Sequence, residues 1–347
     1  MSYTIEVYKG NQKAEKHLGI YALYVMFYPQ LVAGPIERPQ NILHQFHETK
    51  VFNLVLFKSG LRLILWGLFK KVVISDRLAI YVNLVYEHPE HYHYINLLLA
   101  VLLFSIQIYC DFSGYSDIAI GSARTMGYEL MTNFNRPYFA KNIQEFWAKW
   151  HISISTWFRD YVYIPLGGNR NGKRKMYLSL VTVFLLSGLW HGANWTFLVW
   201  GLLHAVFMVS YLLYKGTKHR PLTNNFLINI FSVVVTFVLV SFAWIYFRAE
   251  SITKANDIIG YLFSMNKPAP FVEYLRDIKL KFIFNKFSLA VSGFFIVVLF
   301  LIENWSEPNM SKFDDRPKSD YIFNVLVILA IIFFGVFRST SFIYFQF

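Results

Sequence analysis

The sequence predicts an all-α fold: a multi-pass bundle of transmembrane helices. Three observations predict it. Of 347 residues, 55% are hydrophobic and only 16% charged, where soluble domains carry about 25% charged residues; the mean hydropathy is +0.37. Apolar runs of about 18 residues or more recur along the chain, long enough to cross a bilayer core. Basic residues collect in short loops between those runs, as they do on the cytoplasmic side of membrane proteins. A soluble fold of this composition would need interior helices without polar faces almost throughout. The formal net charge of +12 therefore reads as topology and not as a nucleic-acid surface, and no nucleic-acid-binding motif accompanies it. The one cysteine, Cys110, excludes an internal disulfide framework and a cysteine-based metal cage.

The elements follow in order. The amino-terminal stretch before Leu18 is polar and lacks the form of a signal peptide. Residues 18–34 are apolar but short and end at Gly34-Pro35 and Pro39, which predicts a short span or a re-entrant segment. Residues 54–85 are interrupted by Lys58, Arg62, Lys70 and Lys71. Adjacent Lys70 and Lys71 predict two half-length helices, or a tilted one, with both ammonium groups snorkelling to an interface. The loop 87–93 holds His88, His91 and His93; an exposed turn is expected there and not a metal centre, because no further ligand cluster lies nearby. Residues 94–110 form a clear span that runs into Asp111 to Asp117. Those two aspartates fall about 240° apart on a helix. They are expected to be structural, bonding to backbone or pairing with Arg124 or Arg136. Ser113, Gly114 and Ser116 permit either close helix contact or a helix break.

Residues 134–165 alternate aromatics with Arg136, Lys141, Lys149, Arg159 and Asp160, an amphipathic pattern expected at the membrane interface. Glu145 and Lys149 are spaced to pair on one helix face. Arg159 and Asp160 are expected to satisfy each other in a structural role. Pro165 to Asn169 is a turn, and its Gly167-Gly168 lacks the Gly-Lys-Ser/Thr ending of a phosphate loop. The loops 169–175 and 215–220 are both strongly basic, which places both in the cytoplasm. Residues 176–214 must then leave and return, with Gly192-Ala193-Asn194 as the turn. His191 lies fifteen residues beyond Met176, about 22 Å along a helix and so over two-thirds of the way through a ~30 Å core. His204 sits on the returning helix. Further spans are expected at 225–247, 287–303 and 320–345, a loop with an interfacial helix at 249–286, and an acidic loop from Glu303 to Asp320.

Two histidines, His151 and His191, each follow a tryptophan directly. Ionisable side chains inside a membrane are costly and are usually kept for function, and a neutral imidazole is the usual general base near pH 7. His191, beside a small-residue break, is a candidate to take the proton of a hydroxyl as its oxygen attacks an acyl carbon. The competing reading of a membrane histidine is a hydrogen-bonded packing residue, and for His204 the two readings stand about even. Asn194, Trp190 and Trp195 are candidates for orienting the ring or shaping an acyl or acceptor site. No Gly-x-Ser-x-Gly elbow occurs, so an acyl-serine step is not indicated.

At these residues the chain resembles a known family. Phe146 through Ser155 (FWAKWHISIS), Arg159 through Arg170 (RDYVYIPLGGNR) and Leu189 through Trp195 (LWHGANW) are similar to the membrane-bound O-acyltransferases, closest to the alginate O-acetyltransferase type. Tyr24 through Arg38, Tyr109 through Ile120 and the terminal FIYFQF add to the likeness, which runs nearly the length of the chain. By resemblance, His191 matches the principal catalytic histidine and His151 the second functional histidine. The resemblance also implies one membrane domain over residues 1–347, with helices around a central funnel. Family members carry several spans before the segment that opens this chain, so the chain is expected to lack amino-terminal spans. The expected activity is acetyl transfer from a cytoplasmic donor, acetyl-CoA or an acylated carrier, with no tightly bound cofactor. The acceptor would be an extracytoplasmic polysaccharide, reached directly or through a periplasmic or extracellular acetyltransferase partner, from the cytoplasmic membrane and its lipids. The alternatives are D-alanyl transfer to teichoic acid, and transport of a polysaccharide or lipid-linked substrate. The paired charges repeated in two halves that mark a transporter are not found.

Overall fold

A computed structural model describes residues 1–31, 34–217, 225–264, 286–305, 317–337 and 343. Among the described residues every regular element is helical, as expected. Four short helices, α1 (Ser2–Tyr8), α2 (Leu18–Met26), α3 (Tyr28–Leu31) and α4 (Pro39–Phe46), come first. The larger part follows as α5 (Leu54–Leu68), α6 (Asp76–Glu87), α7 (Tyr94–Thr125), α8 (Ile143–Lys149), α9 (Ile152–Phe158), α10 (Gly172–His191), α11 (Trp195–Thr217), α12 (Phe226–Arg248), α13 (Ile252–Phe263), α14 (Lys286–Trp305) and α15 (Pro317–Phe334).

Helix α7, with α11 and α12, is long and apolar enough to cross a membrane; Leu289–Asn304 and Tyr321–Phe334 are apolar but shorter. The 23 residues of α12 span about 35 Å at 1.5 Å per residue. Its outward positions Phe226, Leu227, Phe231, Val234 and Val238 are exposed, a surface suited to lipid and costly in water. Capping fixes the ends: Asn53 accepts from the Val55 and Leu56 amides to start α5, and Asn225 accepts from the Leu227 amide to start α12. Helix α7 stops at Gly127, whose φ of +82° lets the Gly127 amide reach Arg124 O and the Tyr128 amide reach Ala123 O, both at 3.0 Å.

The core is centred on α7, which crosses α5 antiparallel. Glycines make the crossing possible. A Cβ on Gly67 would stand 2.4 Å from Gly114 O, and one on Gly60 would stand 2.6 Å from Gly121 O. The small residues near Asp111 thus serve close contact, and the helix does not break there. The hairpin of α10 and α11 uses the same device, with Gly188 against Phe197 O and Gly201 against Phe184 O, each at 2.4 Å from an added Cβ. Gly192 to Asn194 is the turn, as expected. The Lys173 ammonium lies 4.0 Å from a Cβ built on Gly216, so the basic loop 169–175 and the start of 215–220 share one end of the bundle, with His191 at the other.

Several expectations are corrected. Lys70 and Lys71 do not snorkel: Lys70 is buried, and a π-helical turn, Phe69–Ser75, joins α5 to α6 without a boundary. The widened turn directs both lysines inward. Lys70 pairs with Asp117 at 2.6 Å and donates to Ser113 Oγ at 2.9 Å. Lys71 bridges Asp111 at 2.5 Å and Asp76 at 2.8 Å. The contact partners of Asp111 and Asp117 therefore include these lysines, with the Ile343 amide on Asp111 at 2.8 Å. Charge is held inside because each carboxylate meets an ammonium at contact distance. Glu303 is not in an acidic loop but buried in α14, accepting from Tyr109 OH at 2.6 Å; the loop's residues 306–316 lie outside the described residues. The span expected at 320–345 is helical to Phe334, and residues 265–285 also lie outside the described residues. Within 134–165, Phe146, Trp150 and His151 are core residues, so one face of this segment packs into the bundle.

Candidate active site

His151 stands in the joint between α8 and α9. Asn142 caps α8 by accepting the Glu145 amide at 2.9 Å, and Glu145 pairs with Lys149 at 2.6 Å as the spacing predicted. At His151 the backbone turns left-handed, φ 42°, an uncommon state for a residue other than glycine. The turn is held by the strand of chain before α8: the Ile152 amide donates to Asn133 O and the Asn135 amide to Lys149 O, both at 2.9 Å. The result is a fully enclosed imidazole, edge-on to Phe112 with ring centroids 4.5 Å apart.

Its proton is placed by one oxygen. Asn133 Oδ1 accepts from the Ser153 amide at 3.2 Å, from Ser153 Oγ at 2.9 Å and lies 3.0 Å from His151 Nδ1. A backbone amide can only donate, so that atom of Asn133 is the oxygen, and Nδ1 carries the hydrogen. Nε2 is left as the lone-pair nitrogen. Burial, with the nearby His191 as a smaller cause, holds His151 well below the ordinary imidazole value, so it is neutral at pH 7. Asn133 Nδ2 in turn donates to Ser116 Oγ on α7 at 3.0 Å.

His191 ends α10, and Gly192 follows with an extended backbone. Aromatic rings flank the partly buried imidazole: Trp190 at 4.9 Å, Trp200 and Phe247 each at 5.1 Å, Phe197 at 6.3 Å between centroids. Trp190 also lies 6.1 Å from His151. Its indole is thus shared by two histidines that are 40 residues apart in sequence. His204 is one step further in, 5.0 Å from the Trp200 ring and fully buried. Trp147 Nε1 donates to its Nδ1 at 3.3 Å.

The structure does not bring the other candidates to the rings. Trp195 is 71% exposed. Asn194 ties the turn, accepting the Thr196 amide at 3.0 Å and donating to Glu250 O at 2.9 Å. Arg159 and Asp160 do meet, at 2.7 Å, and Asp160 also pairs with Arg38 at 3.2 Å. In the loop 87–93, His88, Glu90 and His91 have ligand atoms within 4.8 Å of one another, all exposed, while His93 caps α7 instead. Sequence reading missed Asn133 and Lys70. The signal for Asn133 was its place as the first of four amides in the aromatic stretch just before the tryptophan–histidine motif.

A cavity of about 550 Å³ approaches this site from the basic end. It is lined by Arg159, Tyr163, Asn169 and Met176 near that end and by Trp147, Phe184 and Ser187 deeper in. Ser187 is one helical turn before His191.

Residues 15–249 match the family described as MBOAT, membrane-bound O-acyltransferase. The chain is 35% identical to the peptidoglycan O-acetyltransferase of Helicobacter pylori over 95% of its own length and 65% of that protein's. It is 40% identical to the probable alginate O-acetylase AlgI of Pseudomonas syringae over 76% of this chain and 50% of that one. To the teichoic acid D-alanyltransferase of Bacillus subtilis it is 30% identical, over 71% and 65%. The chain therefore spans between half and two-thirds of the length of these relatives. Family match, paired histidine motifs and apolar helices agree: the chain belongs to the membrane-bound O-acyltransferase family, in its alginate O-acetylase-like branch.

Proposed function

We propose that the chain is the histidine-bearing part of a membrane O-acetyltransferase that acts on an extracytoplasmic polysaccharide. The observation that carries this reading is the convergence of His151 and His191 on one indole, Trp190. A cavity leads toward them from the end of the bundle that holds the basic loops. That end is cytoplasmic by the distribution of Lys and Arg, so an acyl thioester, acetyl-CoA or an acylated carrier, enters there. The acceptor comes from the opposite end, where α10 turns into α11. The chain sits in the cytoplasmic membrane as a multi-pass bundle whose helices surround a funnel.

In the transfer step the acceptor oxygen attacks the acyl carbon while His191 takes its proton. The carbon–sulfur bond breaks, and the leaving thiolate recovers that proton from the imidazolium. His151, with Nε2 bare, accepts a hydrogen bond that orients the incoming hydroxyl. The immediate acceptor is the polymer or a partner acetyltransferase outside the membrane that completes the transfer. D-alanyl transfer is the second reading, supported by the likeness to the teichoic acid enzyme.

The test is transfer of radiolabelled acetyl from a thioester to added polysaccharide, using the purified chain in lipid nanodiscs. Label in the polymer is expected from wild type and not from His191→Ala. Equal labelling by both would overturn the assignment. Labelling with D-alanyl but not acetyl thioester would select the second reading.

A further inference from the structure

The loop between α6 and α7 is short, and its backbone is fixed. Pro89 opens a 3₁₀ turn, Pro89–His91, and is itself buried. The His91 amide donates to His88 O at 3.1 Å and the Tyr92 amide to Pro89 O at 3.2 Å. In a 3₁₀ turn the side chains of residues three apart eclipse, so His88 and His91 rise from one edge. Their rings lie 5.4 Å apart between centroids, inclined by 24°. Glu90 turns its carboxylate toward both: Oε1 lies 3.4 Å from His88 Nδ1 and 3.8 Å from His91 Nε2.

Three properties set this group apart. Among the described residues, it is the one set of three His, Cys, Asp or Glu side chains whose ligand atoms all lie within 4.8 Å of one another. Its first imidazole is not spent on capping. His17 and His93, also at helix starts, each accept a backbone amide at Nδ1, whereas His88, at the start of the turn, makes no such bond. Its donor set, two imidazoles and a carboxylate, is one that zinc takes in proteins. Two atoms bound tetrahedrally to zinc at about 2.1 Å stand about 3.4 Å apart. His88 and Glu90 already have that spacing, and the exposed His91 ring closes the set by rotating inward. Consecutive residues offered only histidines; the 3₁₀ turn makes them a cluster.

We propose that His88 Nδ1, Glu90 Oε1 and His91 Nε2 bind one transition-metal dication, Zn²⁺ above all, with water in the open fourth position. The turn packs on α13. Glu87, next to His88, lines a hollow together with Arg248 and Glu250, and Asn194 in the α10–α11 turn donates to Glu250 O at 2.9 Å. The site thus belongs to the His191 end of the bundle, the outer face on the topology proposed above, and takes its ion from that side. Bound metal ties the end of α6 to the turn that enters α7 and stabilises the folded state by mass action. The binding itself rests on neither the topology nor the transferase reading.

The experiment is a zinc titration against a chromophoric competitor. It uses the purified chain, made without a polyhistidine tag, stripped with chelator and held in lipid nanodiscs. Wild type is expected to take up one Zn²⁺ per chain. His88→Ala and His91→Ala should each weaken binding by about 100-fold, the upper end of what losing even a supporting residue costs, and Glu90→Gln by less. Ni²⁺ should compete, and Mg²⁺, which prefers oxygen ligands, should not. No uptake at micromolar free zinc, uptake unchanged in a His88→Ala, His91→Ala double variant, or displacement by equal Mg²⁺ would overturn the proposal. A second measurement needs no variant to fold: X-ray absorption of the zinc-loaded wild type should show two imidazoles and oxygen at about 2.0–2.2 Å. A shell with fewer than two imidazoles would overturn it as well.

Discussion

The crossing of α5 with α7 and the hairpin of α10 with α11 are built by the same packing device and filled with opposite chemistry. In both, glycines bring antiparallel backbones to contact. The first then buries full charges, and each is answered within reach: Lys70 with Asp117, and Lys71 with Asp111 and Asp76. The second sets imidazoles among rings, with Trp200 edge-on to the partly buried His191 and to the fully buried His204. Paired charges resist change, because removing one strands the other. An imidazole among aromatic faces is neutral and keeps a basic nitrogen for chemistry. On the proposed mechanism, stability lies with the crossing and reactivity with the hairpin.

The largest effect should come from the reactive region. His191→Ala is expected to lower acetyl transfer by about 10²–10⁴-fold, the usual range of general-base assistance, with the amount of protein in the membrane near wild type. His191→Gln keeps a polar side chain but no base near neutral pH, and should fail equally. Near-normal transfer by the glutamine variant would make His191 a packing residue and dissolve the contrast.

The mirror-image result is expected at the crossing. Lys70→Met leaves Asp117 inside without its ammonium, at a cost of roughly 3–5 kcal/mol. Folded protein recovered in detergent should fall, and adding Asp117→Leu should restore much of it. If Lys70→Met were stable yet inactive, the charge lattice would belong to the reaction.

Asn133 joins the two regions, since it holds His151 and bonds Ser116 beside Asp117. Asn133→Ala orphans the Ser153 donors and frees the His151 tautomer, with an expected stability cost of about 1–3 kcal/mol and a drop in turnover. Asn133→Asp keeps the acceptor and adds a negative charge that favours imidazolium. His151 in wild type is held below the usual imidazole value by burial, so transfer that needs it neutral is lost only as pH falls through that low value. The aspartate variant should move this acid limb to higher pH. An unmoved profile would mean that His151 takes no part in proton handling.

Smaller effects are expected at Asp160, where Asp160→Asn loosens a half-buried pair with Arg38 and an exposed one with Arg159, the latter worth on the order of 1 kcal/mol or less. Abundance should decline more than activity per folded molecule, measured by fluorescence-detected chromatography beside the transfer assay. His204→Ala should matter least to turnover, because Trp147 already occupies its Nδ1. A loss as deep as that of His191→Ala would move His204 into the chemistry.

Much of this was legible in the sequence, for a physical reason. Hydropathy and length depend on consecutive residues, so the long apolar helices α7, α11 and α12 and the Gly192–Asn194 turn could be read from the order of residues alone. The pairing of Arg159 with Asp160 and of Glu145 with Lys149 was legible too, because those partners are neighbours along the chain. The rest required tertiary structure because the partners are distant and nothing periodic links them. Lys70 reads as an interfacial lysine until a π-helical turn aims it at Asp117, and the acidic Glu303 reads as loop until Tyr109 is found against it. His151 lies in a segment whose aromatic-and-basic pattern suits a surface, and only the left-handed turn at that residue, braced by Asn133, carries it into the core. The sequence by itself determined which helices are long and apolar enough to cross a membrane, because that depends on consecutive residues; the packing of α7 against its neighbours decided which buried polar groups are paired, because their partners are distant in the chain.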